Sequence, residues 1–421
     1  MKEIQSRSPI DAVVRIPGSK SITHRAVIAA GLARGRSQIK NFLACEDTLY
    51  TINALQELGV QISIDGENIT VSGTGGKFPL SLGKKEIFLG NSGTSYRLLL
   101  STVALARGEF VLTGSPRMHK RPIGDLVAAL NSLGVEASSI GRDEFPPVFI
   151  KAKGIRGGKV KIEGNKSSQY VSSLLLAGPY ADKNIEIETS GILVSEPYVD
   201  LTLDVMKMFG IEVDREGYGY FKIPAGRGYR SRQFTIEGDV SSASYFWAAA
   251  AVTGGAISTE NIHPHITHQG DIGFLNILEE MGCRVERGTD KVVVQGGALS
   301  GIEADMSTMP DMVPTVAAIA LFADGKTVIR NVPHLRHKES DRLKSIALEW
   351  DRLGGRVDEL PDGLIVHGGQ RLSGAVVDPH EDHRMAMSLA IVGLRVPGVK
   401  IKNENCVYKS FPQFWKMWDK I

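Results

Sequence analysis

A chain of 421 residues exceeds one ordinary domain, and 42% hydrophobic with 23% charged residues describes a globular protein with ample core. With 49 basic against 47 acidic residues the net charge is +2, which excludes a surface that coats nucleic acid and confines any basic cluster to a local site. Cys45, Cys283 and Cys406 lie far apart without CxxC spacing, no apolar run approaches a membrane span, and no signal-peptide pattern opens the chain; the expectation is a cytoplasmic protein without structural zinc and without a membrane partner.

Residues 12–16 read as the first strand. "PGSKSITHR" follows: Pro17 and Gly18 make a turn, and Ile22, Ala26, Ala29 and Ala33 come at helical spacing. Lys20 and Arg25 therefore fall at a helix start. Helix N-termini favour acids, so two cations there point to an anion that uses the helix end and the side chains together.

This arrangement, a polar turn entering a small-residue helix, recurs as "GNSGTSYRLLLSTVALARG", "GNKSSQYVSSLLLAGP", "GDVSSASYFWAAAAVTGG", "MPDMVPTVAAIALFADG" and "HEDHRMAMSLAIVGLRVPG". The leading Gly18, Gly90, Gly164 and Gly238 are 72, 74 and 74 residues apart. A second helix repeats between these and closes on Gly59, Gly134, Gly210, Gly282 and Gly354, a C-cap signal. Short alternating strands follow each, as in "VQISIDGENITVSG". The sixth copy of the second helix would be "FPQFWKMWDKI". "SGTGGKF" lacks the Gly-Lys-Ser/Thr ending of a phosphate loop and reads as a hairpin turn. "HPHITH" reads as a loop with scattered histidines rather than a metal site, and Ser241 and Ser242 read as helix-start residues. Six units of two helices and about four strands result, an α/β chain grouped naturally as two domains of three units.

Laid out this way, "PGSKSITHR", "GNSGTSYR", "SSQYVSSLLLA", "GDVSSASYF", "RHKESDRL", "EDHRMAM" and "YKSFPQF" together resemble the 3-phosphoshikimate 1-carboxyvinyltransferase (EPSP synthase) family of enolpyruvyl transferases, from about residue 15 to residue 414. The resemblance implies an inside-out α/β barrel fold of two domains, each of three βαβαββ units around buried helices. Residues 1–17 and 236–421 would form one and residues 18–235 the other, with the active site in the cleft between them. It implies a reaction without cofactor or metal. The 5-hydroxyl of shikimate 3-phosphate attacks C2 of phosphoenolpyruvate, and the tetrahedral intermediate loses phosphate. No nucleic-acid partner is implied, and the expected state is a monomer.

Each substrate carries a carboxylate and a phosphate, and a phosphate monoester holds roughly −1.5 to −2 charges at neutral pH. Such anions need cations around them, and seven fall on the motif positions: Lys20, Arg25, Arg121, Lys338, Arg342, Arg384 and Lys409. By the resemblance, Ser21 and Arg25 would hold the shikimate carboxylate side, and Ser167, Ser168, Ser195 and Tyr198 the 3-phosphate. Gln169 would touch both ligands. Lys20, Gly93, Arg121, Arg342, Arg384 and Lys409 would bind phosphoenolpyruvate, Lys20 and Lys338 reaching the sugar phosphate ligand as well. Asp311 would act as base on the 5-hydroxyl, with Glu339 and Lys20 as candidates to protonate the methylene carbon. His334 stands where many relatives have Asn and would contact a sugar hydroxyl. Asp47 is a candidate brace, and Arg97 is a candidate ligand contact or equally a structural residue. The related UDP-N-acetylglucosamine enolpyruvyl transferase usually carries a loop cysteine where this chain reads "GSPRMHKRPIGD", which disfavours that alternative.

Overall fold

The computed structural model describes residues 1–421, the side chains of residues 81 and 82 excepted. The chain divides into a split unit, Met1–Pro17 with Glu237–Ile421, and a continuous unit, Gly18–Ile236. Each encloses its own apolar core. Among the described residues the continuous unit holds three four-stranded sheets, and the split unit two four-stranded sheets and one of three.

The plan is clearest in the sheet built from Leu80–Phe88, Arg107–Thr113, Val148–Ala152 and Glu136–Ser139. The first pair is parallel, as it must be with helix Gly93–Ala104 crossing between its strands, and the other two pairs are antiparallel. Helix Gly124–Ser132 links the second strand to the closing hairpin. The crossover helices are buried on nearly all sides: eleven of thirteen residues in Lys20–Leu32 and thirteen of fourteen in Val240–Thr253, which leaves neither a broad solvent face. The glycines that close the second helices, Gly59, Gly134, Gly210, Gly282 and Gly354, all take positive φ (94, 86, 88, 109 and 83°), as a left-handed cap requires.

The repeat is broken where the chain crosses between units. Asp11–Arg15 and Arg34–Lys40 flank helix Lys20–Leu32, yet they do not pair with each other. Asp11–Arg15 lies parallel to Ala256–Glu260, and Gln233–Thr235 lies parallel to Arg34–Lys40. In each unit the parallel pair at this point therefore joins strands of that same unit that lie far apart in the chain. The sixth sheet is completed differently: Val376–Val377 and Lys400–Ile401 are joined by Lys2–Glu3 in place of a closing hairpin, and the last helix, Phe414–Trp418, is only five residues long. The expected hairpin at "SGTGGKF" is a link between sheets instead. Asn68–Thr74 already has Arg34–Lys40 on one edge and Gln61–Asp65 on the other, so no edge is left for the strand that follows.

Candidate active site

In the continuous unit the predicted residues gather at the first turns of the crossover helices. Lys20 opens helix Lys20–Leu32, and its Nζ lies 3.1 Å from Asp47 Oδ2, an ion pair that ties Asp47 to Lys20. Arg25 lies in the second turn, 1% exposed. It is fixed by neutral oxygens: Nε donates to Thr202 Oγ1 (2.8 Å), Nη1 to the Ser21 carbonyl (2.9 Å) and Nη2 to the Tyr198 carbonyl (3.0 Å). Burial without a carboxylate pulls its pKa down to about 10, the Tyr198 hydroxyl opposing.

Ser167 caps helix Ser168–Ala177, its Oγ accepting from the Gln169 amide at 3.3 Å, which leaves the hydroxyl hydrogen to point elsewhere. Gln169 is clamped from both sides. Its Oε1 accepts from Arg97 Nη1 (2.9 Å) and its Nε2 donates to Thr94 Oγ1 (3.0 Å), which makes Arg97 the holder of Gln169. Ser195 adopts a left-handed backbone (φ 56°), costly for a residue with a Cβ, just before helix Pro197–Met208. Arg121 is buried with Nη1 on the Asn91 carbonyl (3.1 Å). Gly93 begins helix Gly93–Ala104, and a Cβ placed there would lie 2.5 Å from Arg121 Nη2, so glycine makes room for that guanidinium. Hydrogen bonds tie these helix starts together: His24 to Thr51 (2.8 Å), Thr51 to Ser95 (2.9 Å), and Thr202 to Ser172 (2.8 Å).

In the split unit the cations are held by acids. Arg342, 1% exposed, donates from Nε to Asp382 Oδ2 (2.8 Å), from Nη1 to Asp311 Oδ1 (2.8 Å) and from Nη2 to Glu339 Oε2 (2.9 Å). Burial would lower its pKa, but Asp382, Glu339 and Asp311 outweigh that and raise it. Arg384 Nη2 donates to Asp311 Oδ2 at 2.6 Å, and Lys409 Nζ lies 3.9 Å from Glu339 Oε1. Asp311 thus sits between two arginines. Burial pushes its carboxyl up, and the Arg384, Lys338 and Arg342 charges overcome that and hold it well below the usual carboxylate range. His334 is buried, neither ring nitrogen has a hydrogen-bond partner, and burial with the Lys338 charge lowers its pKa to about 3.

Three residues escape the sequence reading. Asp382 looks like an ordinary N-cap before helix His383–Arg395, and it does accept from the Arg384 amide (3.0 Å), but the same carboxylate grips Arg342. Ser241, read as a mere helix-start residue, lies 3.4 Å from Arg384 Nη2. Tyr245 OH lies 3.4 Å from Arg384 Nη1. His263 and His265 face the Thr289 and Arg287 carbonyls.

Comparison with known proteins identifies the family. The family model of EPSP synthase (3-phosphoshikimate 1-carboxyvinyltransferase) matches residues 4–418. The 3-phosphoshikimate 1-carboxyvinyltransferase of Methanoculleus marisnigri is 45% identical, over 98% of this chain and 97% of its own length. That of Vibrio vulnificus is 43% identical, over 98% and 96%. Among solved structures, EPSP synthase from Acinetobacter baumannii superposes with a TM-score of 0.82 at 27% identity, covering 99% of this chain and 97% of that one. The chain belongs to the EPSP synthase (3-phosphoshikimate 1-carboxyvinyltransferase) family.

Proposed function

We propose that this chain transfers the enolpyruvyl group of phosphoenolpyruvate to the 5-hydroxyl of shikimate 3-phosphate, on the route to chorismate and the aromatic amino acids. The observation that carries the reading is Asp311, ionised between Arg342 and Arg384. A base so tightly paired is weak. When substrate anions draw the arginines away, its pKa rises toward the working range, and it becomes a proton acceptor only once the site is filled.

The remaining roles follow from the surroundings of each side chain. Arg25 and Ser21 take the shikimate carboxylate side, with Arg25 carrying a charge that no acid offsets. Ser167, Ser168, Ser195 and Tyr198 take the 3-phosphate at two helix starts. Lys338 and the unpartnered nitrogens of His334 receive sugar oxygens. Gln169 spans both ligands. Lys20, Gly93, Arg121, Arg342, Arg384 and Lys409 hold phosphoenolpyruvate, while Glu339 and Lys20 supply the proton to its methylene carbon. Each role is filled within one chain, which supports a monomer, and the free cysteines Cys45, Cys283 and Cys406 suit the reducing cytoplasm.

The test is phosphate release from phosphoenolpyruvate with each acceptor in turn. Release with shikimate 3-phosphate and none with UDP-N-acetylglucosamine supports the reading. The reverse pattern overturns it.

A further inference from the structure

Behind Arg384 lies a small polar group that the reaction scheme leaves unused. Ser241, in the first turn of helix Val240–Thr253, donates its hydroxyl hydrogen to Asp271 Oδ2. With the hydrogen committed there, the Ser241 oxygen presents lone pairs to Arg384 Nη2 at 3.4 Å. Tyr245, one turn further along the same helix, offers its hydroxyl oxygen to Nη1, also at 3.4 Å. Asp271 is 3% exposed, and its other oxygen, Oδ1, has no hydrogen-bond partner.

These distances are long beside the 2.6 Å bond from Arg384 to Asp311. They are reserve contacts, and the chemistry proposed above requires a reserve. Arg384 must leave Asp311 Oδ2 for an incoming anion before Asp311 can take a proton. A guanidinium released from its carboxylate would swing unless other acceptors fixed its plane. We infer that Ser241, oriented by Asp271, is a positioning residue that holds the Arg384 guanidinium as it exchanges Asp311 for the phosphoenolpyruvate anion. Burial and the neighbouring Asp311 charge push the Asp271 carboxyl up to about 7. The orienting role survives protonation, because the carbonyl oxygen of a neutral carboxyl also accepts from a hydroxyl.

The inference rests on the assignment of Arg384 to phosphoenolpyruvate, so Arg384→Ala is the reference variant. It should raise KM for phosphoenolpyruvate about 10–100-fold, the loss of a charge-assisted pair. Ser241→Ala and Asp271→Ala should each raise that KM about 3–10-fold with shikimate 3-phosphate affinity unchanged. The double variant should do no worse than either single one, because both act through one hydroxyl. Asp271→Asn keeps an acceptor for Ser241 and should stay within about twofold of the wild type.

The inference is overturned if Ser241→Ala leaves KM unchanged while Arg384→Ala raises it. It is overturned equally by a rise shared by both substrates, by multiplying effects in the double variant, or by Asp271→Asn behaving like Asp271→Ala. An Arg384→Ala variant with an unchanged KM removes the Arg384 assignment itself and this inference with it. Should Asp271→Ala fail to fold, Ser241→Ala and Asp271→Asn decide alone.

Discussion

Arg25 of the continuous unit and Arg342 of the split unit, each 1% exposed, are held in opposite ways. Arg25 rests on two carbonyls and a hydroxyl. In the split unit Arg342 is gripped by Asp382, Asp311 and Glu339, and Arg384 by Asp311. A buried cation fixed by neutral dipoles keeps its full field and binds an anion outright. A cation fixed by carboxylates binds an anion only by exchange, and the exchange changes the proton affinity of the acid it leaves. The proposed function thus draws its binding power from the first kind of arginine and its acid–base chemistry from the second.

The hardest blow to this contrast is Asp311→Ala. Turnover should fall about 10²–10⁴-fold, as for loss of a general base, while shikimate 3-phosphate binding stays largely intact. Binding and turnover measured on one sample decide it, and an undiminished turnover number removes Asp311 from the mechanism. Next comes the other side of the contrast. Ser167→Ala with Ser168→Ala should weaken shikimate 3-phosphate by about 1.5–3 kcal/mol for each hydroxyl bonded to the charged phosphate. Unphosphorylated shikimate should be untouched, and equal weakening of both ligands in a titration defeats the phosphate assignment.

Gly93→Ala probes Arg121, whose guanidinium lies 2.5 Å from where the new methyl would sit. The residue is not in the left-handed region, so alanine carries no backbone penalty, and the new methyl pushes on the guanidinium rather than on the fold. The variant should melt like the wild type. Its KM for phosphoenolpyruvate should rise, and the larger glyphosate, an inhibitor that competes for the same site in the sensitive branch of the family, should lose about tenfold more. An unchanged ratio of the glyphosate inhibition constant to that KM, in a destabilised variant, contradicts it.

The smallest effect concerns stability. His334 is favoured neutral in the fold, its pKa falling from 6.5 to about 3, so its contribution is complete above 6.5 and is lost as pH drops from there toward 3. Asp311, with its pKa depressed, loses its contribution only below the usual carboxylate value of 3.8. Melting temperatures between pH 7 and 5 should therefore decline less in His334→Asn than in the wild type. Parallel curves would rule out a buried neutral imidazole.

Much of this was legible in the chain itself, because the repeat is written in glycines. A left-handed C-cap admits few other residues, so Gly59 through Gly354 mark helix ends without any knowledge of packing. The cations were legible because they fall on the motif positions of the family the sequence resembles, whereas Lys20 and Arg25 at a helix start only pointed to an anion. Asp382 and Ser241 were not, since Asp and Ser before or within a first helical turn cap helices everywhere, and only tertiary contact shows that these two also serve Arg342 and Arg384. The pairing of strands far apart in the chain was equally hidden. Asp11–Arg15 and Gln233–Thr235 have no local feature that selects a partner, and a strand's neighbour is a property of the sheet.

That pairing bears on how the molecule is made. On the ribosome the continuous unit has all its strands once Thr235 has emerged, its last strand returning to pair beside Gln38–Lys40. The leading strand of the split unit has no such fortune: Arg15 waits for Glu260, 245 positions later. Until Glu260 is made this strand lacks its partner, while a whole neighbouring unit can fold behind it. Its sequence, Asp-Ala-Val-Val-Arg, places a charge at each end of the apolar run, a composition that keeps a waiting edge from pairing with the wrong chain.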